Sequence, residues 1–330
     1  MSSIAEPLAS LCNLPDAAQV TQTQLIIDCD PGVDDAIALF LAFGARDQLD
    51  ILGITTVAGN VGGALTARNA CLLRQIADCE DVPVLAGCDR PMVRPPVDAG
   101  HFHGPSGLGN LPIFEPDQGC APGHAVDFII QSLMDRPAGS VSLAVTGPMT
   151  NLAMAMVREP AIIPRLGPVV AMGGARREGG NITASAEYNI YADPHAAQVV
   201  AASGCELIMM GLDVTHQVRA TPERINRLRV IDGPMARAAV NLLDFATTTE
   251  AALGIGADPP QHDPCTIAYL LDPTLFTTIP CHLQIETSSP LTLGHTAVEF
   301  RVKDPNSTRT RWVTAADHQG VFDLITRSLT

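Results

Sequence analysis

The densest group of reactive side chains is Ile26-Ile27-Asp28-Cys29-Asp30-Pro31-Gly32-Val33-Asp34-Asp35, where four carboxylates stand within a few residues of one another. Carboxylates this close raise each other's pKa and resist ionising together unless something positive holds them. A hard divalent cation does so most simply, and oxygen-only donors favour calcium or magnesium over zinc, which recruits Cys or His. A capped helix start with a solvated acidic turn accounts for one such Asp, not for four. Cys29, inside the loop, is too soft a ligand for calcium and reads as a buried spacer.

Chemistry of this kind needs a scaffold that delivers the acids to one place. Residues 24–28 are short, apolar and end abruptly in acid, as a fully buried strand does. The Pro31-Gly32 turn then leads into a helix over about 34–43, with Val33, Ile37, Phe40 and Leu41 on one face and Gly44 at its end. Asp34 and Asp35 fall in its first turn, where the macrodipole favours anions. The same grammar recurs, with strands predicted at 51–57, 82–85, 141–145, 169–172 and 207–210 and helices between them. One helix is capped by Asp193 and opened by Pro194, with Gly204 beyond its end.

Such alternation predicts an α/β fold with an open, mostly parallel sheet and helices on both faces. In these sheets ligands bind outside the carboxyl ends of the strands. Asp28, Asp30, Asn60, Thr146 and Asp213 all follow strand ends and are expected to line one crevice. Two stretches break the rhythm, residues 87–123 with His101 and His103, and residues 247–263, and both read as flaps over that crevice. Towards the C terminus, alternation around 282–286 and 297–302 predicts antiparallel strands at a sheet edge, followed by a closing helix over 319–329. Trp312, the only tryptophan, is expected in the core or an interface. Residues 1–22 read as a partly ordered extension and 23–330 as a single domain.

The chain of 330 residues, 46% hydrophobic, can bury a large core. Its net charge of -15 and pI of about 4.8 argue against nucleic acid as a partner. No stretch reaches the roughly 18 apolar residues of a membrane span, so no membrane partner is expected. The start lacks the cationic region of a signal peptide, and the nine cysteines form no CxxC pair, so a reducing cytoplasm is the expected setting.

The motif Asp-Cys-Asp-Pro-Gly-Val-Asp-Asp resembles the signature of the inosine-uridine preferring nucleoside hydrolases. The resemblance extends through Thr55-Thr56-Val57-Ala58-Gly59-Asn60, His103-Gly104, Thr146-Gly147-Pro148-Met149-Thr150-Asn151, Met172-Gly173-Gly174, Gly180-Asn181, Ala186 to Pro194 and His262-Asp263-Pro264. It covers nearly the whole chain after residue 24 and implies a Rossmann-like fold. It also implies Ca2+-dependent hydrolysis of the N-glycosidic bond of ribonucleosides, purine or pyrimidine, to ribose and free base, in a salvage role. Asp30, Asp35, Asp263 and the Thr146 carbonyl match the metal ligands, and Asp30 also matches the general base towards the attacking water. Asp34, Asn60, Asn181, Glu187 and Asn189 match residues that hold ribose hydroxyls, with Met172 against the sugar and Asp28 supporting from behind. His262 is implied as proton donor to the departing base, and His103 either contacts the base or packs in its loop. Relatives are commonly homodimers or homotetramers.

The chemistry explains these types, because breaking the bond develops an oxocarbenium-like ribose that carboxylates and amide oxygens stabilise. One departure stands out. In relatives the stretch before His262 often carries Tyr or Arg side chains that meet the nucleobase, whereas here residues 247–249 are Thr-Thr-Thr, followed by Glu250-Ala251-Ala252. Base preference is therefore open. Two rivals remain: a metal-dependent phosphatase of the DxD type, for which Gly173-Gly174-Ala175-Arg176-Arg177 is the only candidate cradle, and a nucleoside- or sugar-binding protein that has lost turnover.

Overall fold

The apolar runs that end in acid or amide residues form a sheet whose strand order creates the crevice. The computed structural model describes residues 22–330, and the expected N-terminal extension lies outside them up to residue 21. Ten strands run β1 (Thr23–Cys29), β2 (Leu49–Thr56), β3 (Val84–Ala86), β4 (Val141–Val145), β5 (Leu166–Met172), β6 (Leu207–Met210), β7 (Phe276–Pro280), β8 (His282–Ile285), β9 (Thr296–Glu299) and β10 (Thr310–Ala316). Eight of them build the main sheet in the order β3-β2-β1-β4-β5-β6-β10-β7. All its neighbours pair in parallel except β10 and β7. The order reverses between β1 and β4, and there the following loops diverge to leave a ligand crevice.

Central strand β1 is buried on both faces, and its alternation divides the core. Leu25, Ile27 and Cys29 pack on one side with Ile37, Phe40 and Leu72. Ile26 packs on the other with Ile129, Leu152 and Val200. Side chains of period two therefore tie helices to both faces, as a covered parallel sheet requires.

Two expectations change, and one strand was not anticipated. The hairpin β8–β9 is antiparallel as anticipated, but it forms its own two-stranded sheet; the antiparallel edge of the main sheet is β7. The strand beside it, β10, inserts parallel to β6 and carries Trp312 opposite Met209 into the core, with none of its surface exposed. Residues 247–253 are not flap but the final turns of a long helix, Pro234–Leu253, which ends at Gly254 in a left-handed conformation. Only residues 254–263 remain irregular. The other expected flap holds a short helix, Gly100–His103.

Candidate active site

The end of β1 sets the site. The backbone turns through Asp30-Pro31-Gly32, and helix Val33–Gly44 begins with no side-chain cap of its own. Asp35 fills that role by reaching back to the Gly32 N–H at 2.9 Å and the Asp30 N–H at 3.3 Å. It also accepts from Thr146 Oγ1 at 2.7 Å and Asn60 Nδ2 at 3.1 Å. One carboxylate thus ties the loops after β1, β2 and β4 together.

Asp30 is placed differently. Its Oδ2 accepts from the Asn60 N–H at 2.8 Å, while its Oδ1, fully buried, has no partner. Room for it comes from two glycines: a Cβ on Gly59 would stand 2.0 Å from Oδ2, and one on Gly147 2.5 Å from Oδ1. Asp28 lies behind, where its Oδ1 accepts from Thr55 Oγ1 at 2.7 Å and Asn151 Nδ2 at 2.8 Å. From the opposite side, helix Pro264–Leu271 packs on helix Val33–Gly44 and presents Asp263 at its own start. Two helix N-termini therefore face the acids, each offering positive potential.

Carboxylate oxygens of Asp34, Asp35 and Asp263 all lie within 4.8 Å of one another, so these three could hold a metal ion. This trio shares Asp35 and Asp263 with the expected ligand set; it adds Asp34, expected against the ribose, whereas Asp30 sits deeper. Burial, and then the neighbouring carboxylates, push Asp30 and Asp263 well above the ordinary carboxylate range. Burial likewise raises Asp35, and takes Asp28 and Asp34 to about 6. Among the described residues none of the five pairs with Arg or Lys. A pair of such charges about 4 Å apart repels by roughly 4 kcal/mol at an effective dielectric near 20. Several repulsions of that size require either protons or a cation, and an orphaned buried carboxylate oxygen among hard oxygen donors fits a hard divalent cation.

A second wall rises beyond β5. Glu187 caps helix Tyr188–Ala192, taking the Asn189 N–H at 2.9 Å on one oxygen and the Gly174 N–H at 2.9 Å on the other. Asn189 Nδ2 donates to the Thr146 carbonyl at 2.6 Å and to the Met172 carbonyl at 3.3 Å. Asn181 is exposed at the rim and holds the Tyr188 N–H at 2.9 Å.

These residues line a cavity of about 370 Å³ together with Asp34, Asn60, His103, Thr146, Met172, His262 and Asp263. His103 Nδ1 accepts from the Val33 N–H at 3.1 Å, which leaves its proton on Nε2, and burial pushes its pKa down to about 4. His262 Nδ1 meets Thr215 Oγ1 at 2.8 Å, and burial, then His216, push it down to about 3.

Asp213 does not join this group. It follows β6, three strands away from β1, and accepts from the Arg176 and Arg177 N–H groups in a separate cleft. Conversely, the cavity includes Arg219 and Glu250, which the motifs did not single out. A signal for Glu250 was present, since it continues the buried stripe of Ala239, Leu243 and Ala246 on its helix, where an acid is out of place.

Comparison with known proteins agrees with this architecture. Residues 25–323 match the family model described as inosine-uridine preferring nucleoside hydrolase. The chain is 40% identical over 307 residues to the inosine-uridine preferring nucleoside hydrolase of Crithidia fasciculata, covering 93% of this chain and 97% of that one. It is 39% identical to the pyrimidine-specific ribonucleoside hydrolase RihA of Photobacterium profundum, over 92% of this chain and 98% of that one. Among solved structures it superposes on the purine-preferring ribonucleoside hydrolase of Gardnerella vaginalis with a TM-score of 0.87 at 30% identity, over 93% and 98% of the two chains. The chain belongs to the inosine-uridine preferring nucleoside hydrolase family and is a hydrolase of N-glycosyl bonds in ribonucleosides.

Proposed function

We propose that this hydrolase is calcium-dependent and cleaves inosine- and uridine-type ribonucleosides, with Asp30, Asp35, Asp263 and the Thr146 carbonyl holding the ion. The observation that carries the reading is Asp30 Oδ1, a fully buried carboxylate oxygen that has no partner among the described residues, set among four more acids that no Arg or Lys of those residues pairs with. Calcium bound there supplies the charge that lets these acids ionise together and makes water and the sugar hydroxyls better acids.

The chain's own residues then divide the work. Asp30 takes the proton of the attacking water through its free Oδ1. Asp34, Asn60, Asn181, Glu187 and Asn189 hold the ribose hydroxyls, while Met172 packs against the ring. As the bond to the base lengthens, positive charge spreads over the ribose, and this fixed field of carboxylate and amide oxygens stabilises it more than the neutral ground state. His262, whose Nδ1 meets Thr215 Oγ1, faces the departing base from Nε2; burial holds the ring neutral in the empty site, so it takes up the proton that it passes on only with substrate in place. His103 steadies the acidic loop from the Val33 N–H and lines the cavity.

A phosphatase reading is disfavoured, because the candidate cradle at Gly173 to Arg177 is spoken for: Glu187 occupies the Gly174 N–H, and Asp213 those of Arg176 and Arg177. The reading carries with it a cytoplasmic homodimer or homotetramer, which light scattering on the purified protein tests. Among the described residues no helix is long and apolar enough to cross a membrane. Reducing-sugar release from inosine, uridine and adenosine, with phosphate release from nucleotides followed alongside, tests the activity. Sugar release that requires calcium, without phosphate release, is expected; phosphate release or calcium-independent turnover would contradict it.

A further inference from the structure

The part of the cavity wall formed by Arg219 and by the last turn of helix Pro234–Leu253 carries a charge pattern that the sugar chemistry does not use. Glu250 lies in the last turn of helix Pro234–Leu253 and is 4% exposed. A carboxylate there is opposed twice, by the negative end of the helix dipole and by desolvation, which pushes its pKa up. Nothing in the fold rewards it. Among the described residues its side chain has no hydrogen-bond donor, yet it lines the cavity. Features that break a local rule without structural return mark functional positions.

Arg219 lines the same cavity and is its counterpart. Its Nε donates to the His216 carbonyl and its Nη1 to the Asp258 carbonyl, both at 3.0 Å, which fixes the guanidinium and leaves Nη2 without a partner among the described residues. Burial pushes the Glu250 carboxyl up, and the Arg219 charge is the main influence opposing that rise. The cavity thus ends in an acceptor with two oxygens and a donor beside it.

Resting on the hydrolase reading above, we propose that Glu250 and Arg219 read the edge of the nucleobase and select a 2-amino-6-oxopurine, so that guanosine is the preferred substrate. Of the common bases guanine alone sets two neighbouring N–H donors, at N1 and the 2-amino group, beside a carbonyl. The paired donors match a carboxylate in the two-bond geometry that makes charge-assisted pairs strong, and O6 matches the arginine. Inosine keeps the carbonyl and one donor but lacks the amine. Adenine and cytosine put a ring lone pair beside a single amine and leave one carboxylate oxygen unmatched. Unpaired buried polar groups carry the discrimination.

The test compares kcat/KM for guanosine, inosine, adenosine and p-nitrophenyl riboside, which has no base edge, in the calcium-loaded protein and in Glu250→Gln. Guanosine is expected to exceed inosine by on the order of tenfold in the natural protein, the worth of one lost charge-assisted hydrogen bond. In Glu250→Gln that ratio should fall to near unity through a loss on guanosine, with p-nitrophenyl riboside reporting any general loss of turnover. Inosine equal to or better than guanosine in the natural protein, or a ratio that survives the substitution, overturns the assignment, and the first needs no variant. Absence of hydrolysis of all four substrates by the calcium-loaded natural protein would instead bring down the hydrolase reading itself, and the assignment with it.

Discussion

The two ends of the cavity are built on different principles. At the sugar end, Asp28, Asp30 and Asp35 stand at and just beyond the end of β1, held by backbone N–H groups and by side chains at the ends of β2 and β4. At the base end, Arg219 and Glu250 project from a loop and from the last turn of a helix, and Glu250 meets no donor among the described residues. The first arrangement cannot change without moving the sheet. The second can change one residue at a time, so that within one fold the bond cleaved is conserved by architecture while the base is chosen by side chains.

Substitutions at the sugar end should have the larger effects. Asp30→Ala and Asp263→Ala are each expected to lose the bound ion and turnover together, by about 10³-fold or more in kcat/KM. Metal content by atomic emission beside the rate on inosine checks this, and either variant keeping both would break the ligand assignment. Gly147→Ala is the subtler blow: its Cβ would stand 2.5 Å from Asp30 Oδ1, so that carboxylate must move. A displacement of that order costs on the order of 10²-fold in rate with the fold intact. Unchanged turnover, with circular dichroism matching the natural protein, would show that Asp30 need not be held where it is.

At the base end, His262→Ala should slow inosine by on the order of 10²-fold, the usual scale for a lost acid catalyst, and p-nitrophenyl riboside far less, because its leaving group departs without a proton. Equal losses on both substrates would remove His262 from proton transfer.

The smallest effect concerns stability. Burial raises the carboxyls of Asp28 and Asp34 from 3.8 to about 6 and those of Asp30 and Asp263 further. In the metal-free protein the folded state therefore binds these protons more tightly than the unfolded chain. Their contribution is fully present below the unfolded value near 4 and is lost as pH rises through about 6 and above. Calcium binds the deprotonated form, so its gain in Tm should be greater at pH 8 than at pH 5. An equal or reversed gain, read by thermal scans with calcium or chelator, would contradict it.

Much of this was legible in the sequence, and the exceptions have physical reasons. The parallel core strands announce themselves as apolar runs ending in Asp or Thr, and β4 and β6 fall where the runs predict. Strands β7 and β10 did not, because Phe-Thr-Thr-Ile-Pro at the sheet edge and Thr-Arg-Trp-Val-Thr-Ala-Ala beside it mix Thr and Arg into positions that are only partly buried. The strand-end rule placed the acidic loop, Asn60 and Thr146 at one crevice but also admitted Asp213, since no local pattern reveals that β6 lies three strands from the point where the order reverses. Glu250 was overlooked because a Thr-rich stretch reads as loop, although it is the end of a helix whose stripe the acid interrupts.

The central claim is that the buried acids at the sugar end exist to hold calcium for cleavage. Its most direct test is a calcium titration of metal-depleted protein, with heat of binding and inosine hydrolysis recorded on the same sample. The account predicts a single tight site per chain and a rate that rises in step with its occupancy from a negligible baseline. Full hydrolysis before any calcium is added, or saturation of the site with no change in rate, would contradict it.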